Sequence, residues 1–165
     1  MKRRILLVLA AVLCLSLFAG CGVTQDVTET TTLPPEDPTY NFDVGFSVQM
    51  PEGFEEQESQ LNDFFGIGNG GTFAIIANKE AKDGFADLAE YAQGIADANG
   101  ANMVMTAPEG YLYINYVNET DDNHMYTVFA EGEEFFYRVA FYCPTSNWIN
   151  YSSQFPQWAA TVTVK

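Results

Sequence analysis

Phe135-Phe136-Tyr137-Arg138-Val139-Ala140-Phe141-Tyr142 decides the fold class. A strand sends alternate side chains to opposite faces. Phe135, Val139 and Phe141 therefore share one face, and Phe136, Ala140 and Tyr142 share the other. Both faces are apolar, and a sheet of that kind needs cover on both sides. Upstream, Tyr111–Val117 and His124–Ala130 have the same strand character. The connections between the three runs, residues 118–123 and Glu131-Gly132-Glu133-Glu134, are short, polar and acidic, as hairpin loops are. Three consecutive antiparallel strands thus form the middle of a sheet.

Working towards the N-terminus, Met103–Thr106 reads as a short strand, set off by the turn Pro108-Glu109-Gly110. Before it, Phe85, Leu88, Ala89, Ala92, Ile95 and Ala96 fall at helical spacing and make one apolar stripe. Asp83 is the expected N-cap, and Asn99-Gly100 the expected stop. Asn62–Gly68 and Thr72–Ala77 read as strands joined by the hairpin signal Asn69-Gly70-Gly71. Phe42, Val44, Phe46, Val48 and Met50 alternate as one strand, closed by the turn Pro51-Glu52-Gly53. Towards the C-terminus, Phe155, Trp158, Ala159 and Val162 are spaced as one helix face, with Pro156 tolerated in its first turn. The Val- and Thr-rich end allows a strand there instead. The chain therefore predicts an α+β domain over residues 40–165, with an antiparallel sheet of about six or seven strands covered by helices on both faces.

Residues 1–39 have a different character. Lys2-Arg3-Arg4 precedes an apolar and small run, Ile5–Phe18. That run is shorter than the roughly 20 residues a spanning helix needs and fits a secretory leader over residues 1–20. Leu17-Phe18-Ala19-Gly20-Cys21 then resembles the bacterial lipobox, in which small residues precede a lipid-bearing cysteine. Phe18 stands where that motif usually has Leu, Val or Ile. The resemblance implies that the Cys21 thiol takes a diacylglycerol with acyl chains such as palmitate, and that the chain is cut just before it. The membrane partner is then reached through covalent lipid on Cys21. Residues 21–39 are rich in Thr, Pro and acids, too poor in apolar surface to fold alone. They read as a disordered tether, whose 18 residues after Cys21 reach up to about 55 Å at about 3.1 Å each.

Charge narrows the partners. The chain holds 22 acidic residues against 7 Lys and Arg, a net charge of −15. Removal of the leader takes Lys2, Arg3 and Arg4, leaving a formal charge of −18. Phosphate backbones repel such a chain, so no nucleic-acid partner is expected. Anionic lipid surfaces repel it as well. Cys14 leaves with the leader and Cys21 carries lipid, so Cys143 has no partner for an internal disulfide. It is expected to be a small buried hydrophobe.

The opening segment Phe46-Ser47-Val48-Gln49-Met50-Pro51-Glu52-Gly53-Phe54 resembles the PsbP-like superfamily, whose bacterial members begin with a strand closed by Pro-x-Gly-aromatic. The order that follows is similar as well: a hairpin, a helix, three meandering strands and a closing helix. The resemblance spans residues 40–165. It implies an α/β/α sandwich that binds other proteins and is not enzymatic. It carries no binding residues over, since only Pro51-x-Gly53 matches a specific motif.

Few residues point to chemistry. His124 is the only histidine, at a loop edge, and is expected to be exposed there. One His and one free Cys do not make a zinc site. Gly66-Ile67-Gly68-Asn69-Gly70-Gly71 resembles a phosphate loop, but a strand follows it where such loops open into a helix. Glu119, Asp121 and Asn123 alternate in one loop, a spacing that would suit Ca2+ as the single candidate cofactor. Arg138, the only arginine of the mature chain, lies mid-strand among apolar neighbours. It must pair with a carboxylate or reach the surface: a structural ion pair is the first expectation, an anchor for an anionic ligand or partner the second. Trp148 and Tyr151 sit in a polar stretch and are candidates for a binding patch. With no catalytic constellation, the leading expectation is a lipid-tethered, extracytoplasmic, non-enzymatic module that binds a protein or envelope partner. The alternatives are a secreted hydrolase using paired carboxylates and a cation-binding envelope protein.

Overall fold

The computed structural model describes residues 37–165. The predicted leader, Cys21 and most of the predicted tether lie outside the described residues. The main sheet has seven antiparallel strands: β3 (Phe54–Gln57), β4 (Phe64–Gly68), β5 (Phe73–Ala81), β6 (Met105–Thr106), β7 (Leu112–Asn118), β8 (Asn123–Glu131) and β9 (Phe135–Pro144). They lie in the order β3-β4-β5-β9-β8-β7-β6. The β7–β8–β9 meander is the one expected, with Val128 opposite Val139 and Tyr113 opposite Val128. β5 then pairs with the free edge of β9, placing Asn78 opposite Arg138.

A second sheet of three strands, β1 (Thr39–Asn41), β2 (Phe46–Gln49) and β10 (Thr163–Val164), lies over one face. Residues 42–50 were expected to form one strand. Instead Phe42–Gly45 is a turn, closed by the Gly45 N–H on the Phe42 carbonyl at 3.0 Å. Gly45 has φ of +106°, which a side chain resists. The alternating burial still holds along β2, where Phe46 and Val48 face the core and Met50 follows them. β10 closes the sheet: Ser47 Oγ and Thr163 Oγ1 are 2.6 Å apart, and the Gln49 N–H donates to Thr161 Oγ1 at 2.9 Å.

On the same side lie two short C-terminal helices, α2 (Trp148–Tyr151) and α3 (Gln154–Ala159). Phe155, Trp158 and Ala159 of α3 are buried, and Val162 packs against them partly buried, as the spacing predicts. The strand alternative is realised just beyond, in β10. These elements enclose the larger core: Phe73, Ile75, Val128, Val139, Phe141 and Cys143 from the sheet, Val48 and Met50 from β2, and Phe155 and Trp158 from α3.

The helix α1 (Leu88–Ala98) covers part of the opposite face, over β7 and β8. It is capped by Asp87 and not by Asp83. The Asp87 carboxylate accepts from the Glu90 N–H at 2.9 Å, and Glu90 reaches back to the Ala86 N–H at 2.6 Å. That reciprocal pair outcompetes Asp83, which precedes a glycine at φ of +102°. Ala89 of the expected stripe is exposed. Tyr91, Ala92 and Ala96 are buried, with Leu88 and Ile95 partly so, over Ile114, Phe129 and Phe136.

Tyr91 is the centre of this smaller core. Its ring stacks on Phe136 and meets Phe85 and Phe129 edge-on. Its hydroxyl is buried without a hydrogen-bond partner. Burial pushes its pKa up to about 12, with the Arg138 charge offsetting part of that rise. An unsatisfied buried hydroxyl costs about 1–3 kcal/mol. Tyr91→Phe should therefore raise stability by about 1 kcal/mol in a urea titration. The ordinary tyrosine value of 10.0 is the unfolded reference, so wild type binds more protons folded than unfolded above that pH and loses stability as pH rises. The variant should lose less over the same window. A variant less stable than wild type at neutral pH would refute the assignment.

Candidate functional site

α1 leaves the middle of its face of the sheet uncovered, and the strands are hollow there. Three rows cross β5, β9 and β8 on this face: Asn78–Arg138–Phe129, Ile76–Ala140–Thr127 and Ala74–Tyr142–Met125. The central row carries the small residues Ala140 and Thr127. Ile95 and Asn99 at the end of α1 form one wall and Asn62, before β4, the facing one. The third wall is the end of β7 and the β7–β8 loop, with Tyr116, Asn118 and Asp121. The result is a half-open cavity of about 320 Å³, within the size range of ligand pockets.

Its lining mixes neutral polar groups with the apolar Ile76, Ile95, Met125 and Ala140, and carries two charged residues, Arg138 and Asp121. Five asparagines reach it: Asn62, Asn78, Asn99, Asn118 and Asn123. Some of their capacity is spent within the protein. Asn78 donates to Asn62 Oδ1 at 3.1 Å, the Tyr116 hydroxyl donates to Asn99 Oδ1 at 3.1 Å, and Asn118 donates to Asp121 Oδ2 at 3.0 Å. Four groups have no side-chain hydrogen bond among the described residues: Arg138, Thr127, Tyr142 and Asn123. Thr127 is the one polar residue in the buried set, 3% exposed, and it lines the cavity. Burial and the Asp121 charge raise the Tyr142 pKa, keeping its phenol protonated.

Arg138 departs from the first expectation. Among the described residues the one ion pair is Lys82–Glu131 at 2.6 Å, at the surface. Arg138 makes none and is half-buried at the cavity lining. Its strand position explains this. The neighbours across the ladder are Asn78 and Phe129, neither of which carries a charge.

The other expected residues are not brought together. Glu119 is exposed on the β7–β8 loop, while Asp121 and Asn123 line the cavity. Among the described residues no group of three or more His, Cys, Asp or Glu is placed to hold a metal ion. The loop is instead fixed from within: the Thr145 N–H and hydroxyl both donate to the Asp122 carbonyl, at 2.9 and 3.1 Å. Trp148 and Tyr151 do not make an exposed pair. Tyr151 is 6% exposed, and its hydroxyl lies 2.6 Å from Thr72 Oγ1. Trp148 is half-buried with its ring flat on His124, centroids 3.5 Å apart. His124 is thus half-buried and not at an exposed loop edge; its Nε2 lies 2.6 Å from Asn115 Oδ1. Burial lowers its pKa, so the ring is neutral at pH 7. Cys143 is fully buried, its thiol pushed up to about 11 by burial. The glycine run is a hairpin, as expected: the Phe54 ring lies where a Cβ at Gly66 would stand, and Asn69-Gly70-Gly71 turns with positive φ throughout.

The signal for the cavity in the sequence is Thr127, the one non-aromatic polar residue between Met125 and Phe129. The asparagines gave no signal, being scattered over 61 positions of chain, from Asn62 to Asn123.

No family model matches the chain, and no curated protein does. The solution structure of cyanobacterial PsbP (CyanoP) from Synechocystis sp. PCC 6803 is similar over 90% of this chain and 99% of that one, with a TM-score of 0.56 and 12% identity. A crystal structure of a protein of unknown function from Pseudomonas aeruginosa, PA94, covers 79% of this chain and 98% of that one, with a TM-score of 0.43 and 14% identity. The first likeness shows that the fold is PsbP-like: an α+β sandwich on an antiparallel sheet, as the opening strand and the order of elements imply.

Proposed function

We propose that this chain is a non-enzymatic binding module, held at the outer face of a bacterial membrane by lipid on Cys21, whose ligand occupies the cavity around Arg138. The observation that carries the reading is an unpaired arginine in a polar cavity on a chain that is otherwise strongly acidic. A guanidinium held without a carboxylate is a ready partner for an incoming anion, since its planar fork matches a carboxylate in two parallel hydrogen bonds. The hydrolase alternative is weaker at this site. Glycoside hydrolysis uses two carboxylates, and Asp121 is the one carboxylate lining the cavity. His124 and Cys143 belong to the opposite side of the sheet, among Tyr126, Val128 and Val139.

The test is thermal melting of the full chain, purified in detergent, against a panel of small carboxylates. A carboxylate at about 100 times its Kd should add roughly 2.7 kcal/mol, a rise of several degrees in Tm. Arg138→Met should remove the rise. A panel without any shift, or shifts that survive in Arg138→Met, would sink the reading.

A further inference from the structure

We infer that the cavity recognises a uronic acid, a sugar unit bearing one carboxylate, an inference that rests on the binding reading above. Charge comes first. One cation, Arg138, faces the ligand, and the carboxylate of Asp121 also lines the space. That balance suits a single negative charge and penalises a phosphate dianion, which Asp121 would repel. A guanidinium also matches a planar carboxylate in two parallel hydrogen bonds.

The neutral groups then define the rest of the ligand. Thr127, Tyr142 and Asn123 line the cavity, and their hydroxyl and amide groups have no side-chain partner among the described residues. Each both donates and accepts. Hydroxyl groups do the same, so a ring bearing several of them satisfies all three. A simple fatty or aromatic acid would leave them unpaired, at a cost. Ile76, Ala140 and Met125 line the same space with apolar surface, as the C–H face of a pyranose requires.

The cavity also continues. A second, more open hollow shares Asn62, Ile76 and Tyr142 with it and runs on along Glu58, Ser59, Gln60, Leu61 and Phe65, Glu58 being its one charged group. Leu61 is 91% exposed there. An adjoining sugar unit fits this extension, with Leu61 and Phe65 as an apolar platform beside the polar Ser59 and Gln60. The carboxylate sugar can thus be a free acid or one unit of an acidic glycan.

The experiment is titration calorimetry on the full chain in detergent with D-glucuronate, D-glucose, propionate, alanine and a galacturonate trimer. Glucuronate should bind at least about tenfold more tightly than glucose, the discrimination expected of a charge-assisted bidentate pair. It should also exceed propionate and alanine. Thr127→Val keeps the side-chain shape and should weaken glucuronate about fivefold while leaving propionate unchanged. The trimer separates the sources: tighter binding than the monomer assigns an acidic glycan, and equal or weaker binding assigns the free sugar acid. If propionate or alanine binds as well as glucuronate and Arg138→Met abolishes all three, the sugar assignment is overturned while anion binding stands. If glucuronate binding survives Arg138→Met, or no compound binds, both fall.

Discussion

Phe155→Ala should unfold the C-terminal layer first and lower the melting temperature of the whole domain by about 15 °C. Phe155 is fully buried. Its ring is the hub of an aromatic cluster, with centroids 5.1 Å from Tyr151, 5.6 Å from Trp158, 5.8 Å from Phe141 and 6.0 Å from Trp148. The sheet contributes Phe141 and, at 6.4 Å, Phe73 to that cluster, and the others belong to α2 and α3. Removing the ring leaves a cavity under a short helix, so the expected cost is about 3–5 kcal/mol. Domains of this size are stable by about 5–15 kcal/mol, so a large share is lost at one position. Nothing local compensates, because α3 has six residues and cannot hold itself together without packing. Ile149→Ala is the control: Ile149 lies on α2, 81% exposed, and its loss should change stability by no more than about 0.5 kcal/mol. Calorimetry of the two variants checks both. A Phe155→Ala loss near that of Ile149→Ala would mean that the C-terminal helices are not packed as described.

Cys21→Ser should abolish lipid attachment outright. Cells fed a labelled palmitate analogue should incorporate it into the wild-type protein and not into the variant, and the variant should keep residues 1–20 and run larger on a gel. The chain's charge is repelled by anionic headgroups, and among the described residues no helix is long and apolar enough to cross a bilayer. The two acyl chains of a diacylglycerol on Cys21 would provide the pair of signals that stable anchoring takes. Label remaining in Cys21→Ser would defeat the lipobox reading of Leu17–Cys21.

Much of the main sheet was legible because its strands bury both faces. In β9 the alternation of Val139 and Phe141 with Phe136 and Ala140 leaves little freedom of register, and β8 repeats it. What escaped notice was marginal in composition. β3 reads Phe-Glu-Glu-Gln, with one apolar residue, as suits an acidic strand at a sheet edge. β5 runs four residues past Ala77, through Asn78-Lys79-Glu80, because β9 beside it is long enough to pair with them. The Phe42–Met50 alternation was read correctly residue by residue along β2, yet placed in the wrong sheet, since periodicity does not report which strand a strand pairs with. Of the site, Arg138 stood out as a charge in an apolar run. The cavity did not, because it is the space left where α1 stops short and where Ala140 and Thr127 are small. A gap between elements has no period to detect.

The pairing of β2 with β10 sets an order in time. Ser47 and Thr163 are 116 residues apart, so this closure joins nearly the first folded residues to the last. Contacts of such sequence separation form late, since the loop entropy must be spent before they gain anything. Val48 and Met50, fully buried in the finished domain, share their core with Phe155 and Trp158, so the C-terminal helices complete their cover. A chain of this design therefore closes its fold late, from its two ends at once.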